Sequence, residues 1–425
     1  MILSSEAKKH AGVVARAKAN LAEYHFYDFV FVLLVTISGC AIAQQDTTLV
    51  SSAVSGFMPK VRYALVLLFV VLGVREFRVS WTVFIPLVYL LIISFDKYPL
   101  PQVSNVLIVL ELMIFCLLKE ACQLRIFRLF RVIVLAMAAV GIVCYASYTL
   151  GLGLPYRDVQ YYFGDFDKMK YADYGLSYIY VSIGYTEYPR LCGLFNEPGY
   201  FGTVLALLLC IDGFDARKPS TWLILVAGPM TLSLAFAAIV GIYLVISSVN
   251  KPKHLVFIAL LVMLIAYVLS SGVFDGTALG RYMERISSFI TQGGDTSERT
   301  NSIVDLMFSS TIAGNNAIWG NGGGYTAAFS PEGISSYKIY FIDYGVAGAF
   351  LIFALPVVAA FLEAAKIGNR HTRWLAICFC ICFLINVIQR PAIYVLPYFV
   401  LLFGGLACMK ARSASNERTD EVTNG

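Results

Sequence analysis

Twelve stretches of this 425-residue chain each run for about 14 to 24 residues almost free of charge, a pattern that a water-filled surface does not tolerate. They fall at 27–44, 61–74, 80–95, 102–118, 132–150, 198–211, 221–234, 235–249, 254–272, 339–362, 374–388 and 391–408. Composition agrees: 59% of residues are hydrophobic and 14% charged, where a soluble domain carries about a quarter. A water-soluble enzyme, a disordered chain, a collagen-like repeat and a coiled coil are all excluded. At roughly 20 residues per crossing, twelve helices use about 240 residues and leave loops large enough for chemistry. The expected fold class is an all-α polytopic membrane protein with about twelve transmembrane helices.

The parity of that count turns on 221–249, nearly thirty uncharged residues interrupted by Gly228-Pro229. Two short helices with a tight turn fit it better than one over-long helix. With the amino terminus inside, the inside segments collect 20 of the 32 Lys and Arg residues, including Lys8, Lys9, Arg16, Lys18, Arg125, Arg128, Arg131, Lys410 and Arg412. Merging 221–249 would move the basic clusters at 251–253 and 366–373 to the outside. The expected layout is an inside segment 1–26, helices one to five over 27–150, an outer loop 151–197, helices six to nine over 198–272, a larger outer loop 273–338, helices ten to twelve over 339–408 and an inside tail 409–425. Residues 1–26 lack the pattern of a cleavable signal peptide, so the first helix is expected to remain in the mature protein.

The net charge of +5 has the same topological origin, and with no basic run flanking aromatic patches nucleic acid is not an expected partner. The ten cysteines lie mostly inside apolar stretches, with Cys192 alone near a long loop; Cys378, Cys380 and Cys382 alternate faces of one helix and read as packing residues. Neither a disulfide framework nor a metal box is indicated. Glu111, the one clear mid-span acid, reads as facing a polar bundle interior.

Loops as long as 151–197 and 273–338 are usually functional. The first is rich in tyrosine (among them Tyr156, Tyr171, Tyr174, Tyr178 and Tyr180) and in acids such as Asp158, Asp173 and Glu187. Two readings stand: an aromatic belt at the membrane surface, or a platform on which sugar rings stack. It ends in Arg190-Leu191-Cys192-Gly193-Leu194-Phe195-Asn196-Glu197-Pro198-Gly199, which runs into an apolar helix. Pro198 suits a first helical turn, so the free N–H groups and Arg190 make a favourable place for a phosphate, unless Arg190 and Glu197 merely pair. The second loop carries Arg281, Arg285 and Arg299, against the topological bias. Guanidinium groups clamp a pyrophosphate well, and the alternative is pairing with Glu284, Asp295 or Glu298. The run Gly320-Asn321-Gly322-Gly323-Gly324 is not a nucleotide fingerprint.

Taken together, R-x-x-G-x-F-x-E-P from Arg190, T-x-S at Thr231-Leu232-Ser233, Arg299 after Asp295-Thr296-Ser297-Glu298, W-G-x-G at Trp319 and D-Y-G-x-x-G at Asp343 resemble the O-antigen polymerases and ligases. These are bacterial inner-membrane glycosyltransferases of GT-C type architecture. The likeness spans roughly residues 186 to 400. It implies glycan transfer from undecaprenyl pyrophosphate at the periplasmic face, with no cofactor, no metal and no nucleotide sugar. It assigns pyrophosphate binding to Arg190 and Arg299, with Arg281, Arg285, Asn196, Lys338 and Tyr340 in support, and catalysis to Glu197, Asp343 and Arg299.

Ligases of that family carry a histidine before the D/E-x-G helix, where this chain has Ser335-Ser336-Tyr337-Lys338. Its four histidines, His10, His25, His254 and His371, all fall on the expected inner side. The polymerase is therefore the preferred expectation, the ligase the alternative and a flippase the third reading, disfavoured because the two halves of the chain look unlike. Expected partners are the lipid-linked oligosaccharide, the bilayer and a chain-length regulator.

Overall fold

A computed structural model of the chain describes residues 23–40, 57–94, 103–163, 167–183, 186–249, 302–330 and 336–424, with isolated helical positions at 253, 256, 260, 263, 267 and 280. The expectations for Arg281, Arg285 and Arg299, and for most of 254–272, lie outside the described residues. Helices are α1 (Phe26–Gly39), α2 (Met58–Gly73), α3 (Phe84–Ser94), α4 (Val103–Leu117), α5 (Glu120–Leu150), α6 (Pro198–Asp212), α7 (Pro219–Met230), α8 (Leu234–Ser247), α9 (Ser302–Ala313), α10 (Tyr325–Phe329), α11 (Lys338–Ala365), α12 (Arg370–Gln389), α13 (Leu396–Phe399) and α14 (Gly405–Asn424). Among the described residues, three are long and apolar enough to cross a membrane: α5, α11 and the Arg370–Val387 part of α12.

The bundle is organised around α6. Every residue of it except Tyr200 is buried, as a helix apolar on all sides requires. From its carboxyl end, marked by Asp212, the chain enters α7, where Arg131 bridges Asp212 and Ser220. It reaches the amino end at Thr231 and Ser233, which press against Gly202, and α8 then returns until Tyr243 stacks on Phe214 at 5.4 Å. The 221–249 stretch is thus two antiparallel helices. The reversal is sharp enough to hold Leu232 at φ +47°, a conformation few side chains adopt.

Loop 151–197 departs from an all-α chain. It folds into an antiparallel meander of β1 (Arg157–Phe163), β2 (Asp167–Asp173), β3 (Tyr178–Ile183) and β4 (Thr186–Gly193). Alternation is the cause: Ala172, Ile179, Val181 and Leu191 face the helical core, while Tyr171, Tyr178, Tyr180 and Cys192 pack together on the other face. Those three tyrosines are buried, so they form neither a belt nor a platform; among the described loop tyrosines, Tyr156 is the exposed one.

Three helix boundaries also differ from expectation. α5 starts at Glu120 rather than 132, because Cys122, Ile126, Phe127 and Phe130 bury one face while the arginines take the other. Span 391–408 is broken: Pro391 follows the end of α12, α13 is one turn, and a π-turn at Val400–Gly404 leads into α14. α14 carries helix through the expected tail to Asn424. Glu111 is buried against Arg62, whose Nη2 donates to both carboxylate oxygens at 2.9 Å. The cysteines of α12 are fully buried, as packing residues are.

Candidate functional site

β4 delivers the chain to the amino end of α6. Gly193 turns at φ +60°, Phe195 is buried, and Glu197 caps the helix in an extended conformation with Pro198 in the first turn. Glu197 pairs with Arg390. Its Oε2 accepts from Arg390 Nη2 at 2.6 Å, across 193 positions of sequence. The Glu197 side chain is 41% exposed and that of Arg390 13%, so the pair joins the surface to the interior. Burial acts to lower the Arg390 pKa, and the Glu197 carboxylate together with the Tyr398 and Tyr200 hydroxyls more than offsets it, leaving a permanent cation above its usual value.

Arg390 is held in place from several sides. Its backbone N–H donates to Asn386 at 2.6 Å and its guanidinium sits 6.0 Å over the Tyr200 ring. A methyl group at Gly199 would strike Nη2, so this glycine is what lets the guanidinium reach the helix end. Around it lie the buried Arg390 Nε and Tyr200 hydroxyl, neither with a hydrogen-bond partner among the described residues, and the buried Tyr398 hydroxyl facing the Asn386 amide. Buried polar groups are satisfied in the great majority of cases, so such a cluster marks a place built for chemistry or binding.

Arg190 has a different engagement from a free anion clamp. Its Nε and Nη2 donate to the Thr231 and Leu232 carbonyls at 3.1 and 3.2 Å, the orphan acceptors at the end of α7, and its guanidinium lies 5.9 Å from the Tyr180 ring. Ser233 Oγ in turn contacts the Gly199 carbonyl at 3.5 Å. The R-x-x-G-x-F-x-E-P and T-x-S motifs therefore meet at one helix end. Asn196 contributes its carbonyl, which accepts from the Tyr171 hydroxyl at 2.8 Å.

The other two described motifs interlock separately. Gly345 breaks α11 at φ +68°, which frees the Ile342 and Asp343 carbonyls to accept from Asn321 and Gly322, and the N–H groups of Val346 and Ala347 to donate to Ala317 and Ile318. Gly320 and Gly345 approach so closely that a Cβ on either would collide with the other's backbone. Asp343 is buried and its carboxylate accepts from the backbone of Gly324 and Thr326 and from the Thr326 hydroxyl at 2.6 Å. That geometry anchors the glycine loop on the Asp343 carboxylate, both of whose oxygens are engaged as acceptors.

Lys338 pairs with Asp305 at 2.8 Å, and Tyr340 packs edge-on against Phe353. Beside this knot an apolar groove of about 370 Å³ runs between α3 and α11, lined in part by Leu91, Ile92, Trp319, Tyr344 and Leu351.

Sequence reasoning missed Arg390, Tyr200, Asn386 and Tyr398. Arg390 carried a signal: it lies between the last two apolar runs at the same bundle end as Arg190, the kind of cation that topology does not explain. Protein-family models give no match to the chain, and a search of curated proteins gives none.

Proposed function

We propose that the chain is a polysaccharide polymerase of the O-antigen type, a glycosyltransferase of the bacterial inner membrane acting at its periplasmic face. It moves a growing glycan from undecaprenyl pyrophosphate onto a lipid-linked oligosaccharide repeat unit. The observation that carries the reading is the Glu197–Arg390 pair, set among unpartnered buried polar atoms at the amino end of a buried helix. An acid and a permanent cation at the membrane surface are the two groups this transfer needs. The ordered motifs from Arg190 to Gly348 support the family of polymerases and ligases, and Ser335-Ser336-Tyr337-Lys338 in place of the ligase histidine favours the polymerase.

In the proposed step the acceptor hydroxyl oxygen bonds to the anomeric carbon while the bond from that carbon to the pyrophosphate oxygen breaks. Glu197 orients the hydroxyl and takes its proton, a contribution on the order of 10²–10⁴-fold. Arg390, with Arg299 from the second loop and the α6 dipole, neutralises the charge that grows on the departing pyrophosphate. Arg190 and Asp343 hold the turn and the loop that frame the site. The apolar groove beside Trp319 suits the isoprenoid chain of the donor. Purified protein in liposomes, given lipid-linked repeat units alone, is expected to make a ladder of polymers; a ligase makes none from that single substrate, and absence of a ladder rejects the polymerase.

A further inference from the structure

At the bundle end opposite the sheet, a cleft of about 350 Å³ opens between the α2–α3 connection, the start of α5, the end of α11 and the start of α14. Arg78, Lys119, Lys366 and Lys410 line it with Glu120 and Glu363, a formal excess of two positive charges. The lysines are engaged: Lys366 with Glu363 at 2.5 Å, Lys410 with Glu120 at 2.8 Å, and Lys119 with the Arg75 carbonyl at 2.6 Å. The Arg78 guanidinium has no hydrogen bond or ion pair among the described residues, although its backbone is fixed to Leu117 at 2.6 Å.

The walls are preformed. Phe77 and Leu118 make an isolated antiparallel bridge, and Lys119 N–H donates to the Glu76 carbonyl at 2.9 Å. The rim is apolar: Val79 is 91% exposed and Trp81 42%, and Phe84, 63% exposed, follows three residues on. A cation beside an exposed tryptophan and two aliphatic or aromatic neighbours is the composition of a membrane–water interface.

We propose that this cleft binds the phosphate of an anionic phospholipid headgroup, with Arg78 as the recognising cation and the acyl chains running over Val79, Trp81 and Phe84. The planar guanidinium takes two phosphate oxygens in a fork, and basic pockets between membrane helices hold such headgroups. The apolar rim separates a lipid from free phosphate, which would gain nothing from it. The cleft lies at the other end of the bundle from Glu197, so the proposal stands apart from the transferase reading.

Native mass spectrometry of the full chain released from detergent, with phosphatidylglycerol and phosphatidylcholine of matched acyl chains, tests it. Preferential retention of phosphatidylglycerol is expected. Arg78→Gln should weaken it about fivefold, and Glu120→Gln, which releases Lys410 and raises the positive excess, should strengthen it. Millimolar inorganic phosphate should leave the bound lipid in place. Equal retention of the two lipids, unchanged retention in a folded Arg78→Gln protein, or displacement by inorganic phosphate would each overturn the assignment.

Discussion

The two ends of α6 each carry one acid, and they solve opposite problems. Asp212, at the carboxyl end, opposes the helix dipole and is 1% exposed at its side chain. Three cations from three segments surround it: Arg131 at 2.7 Å, Arg412 at 2.8 Å and Lys218 at 3.8 Å. Glu197, at the amino end, is favoured by the dipole, is 41% exposed at its side chain and pairs with the Arg390 guanidinium. A fully buried acid ringed by cations at one end and a partly exposed acid–cation pair at the other separate a clasp from a site. The ion pair at the clasp holds α5, α6 and α14 together, whereas the pair at the site joins the helix start to the break after α12.

Substitutions at the two ends should therefore act on different observables. The largest effect expected is on transfer: Arg390→Gln should slow polymer formation by about 10²–10³-fold, the usual loss for one charge-stabilising donor, with the fold intact. A full rate in that variant breaks the comparison at the site end. Asp212→Asn should instead cost on the order of 3 kcal/mol of stability by leaving cations uncompensated, read as a lower thermal midpoint with transfer retained in the folded fraction. Gly345→Ala should cost about 1–3 kcal/mol through backbone strain at φ +68°, with loss of the loop that Asp343 anchors, measured by the same melt and by protease cleavage near Gly320. The smallest effect belongs to Cys192. Burial pushes its thiol pKa up, which keeps it protonated at neutral pH, so maleimide should label it in denaturant and not in the native protein.

Hydrophobic runs and charge bias made most of the helical layout legible, because both follow from local composition. The sheet was legible in principle: in Tyr178-Ile179-Tyr180-Val181 every second residue is apolar aliphatic, yet tyrosine abundance at a membrane surface drew attention to belts and sugars instead. The helix break at Gly345 was half visible in D-Y-G-x-x-G, but its pairing with Trp319-Gly320-Asn321-Gly322 depends on backbone hydrogen bonds that no side chain announces. Glu197 was found and its partner was not. Arg390 lies 193 positions from Glu197 in sequence, and the packing of α12 onto α6 brings the two together. Arg62, likewise, became the partner of Glu111 through helix packing alone.

In the proposed polymerase the amino end of α6 performs the transfer and its carboxyl end does not. The direct measurement is polymer length from purified lipid-linked repeat units in proteoliposomes containing the wild-type protein, Glu197→Gln or Asp212→Asn at equal folded amounts. A ladder is expected from the wild type and from Asp212→Asn, and at most trace dimers of the repeat from Glu197→Gln. A full ladder from Glu197→Gln would remove the amino end of α6 from the transfer.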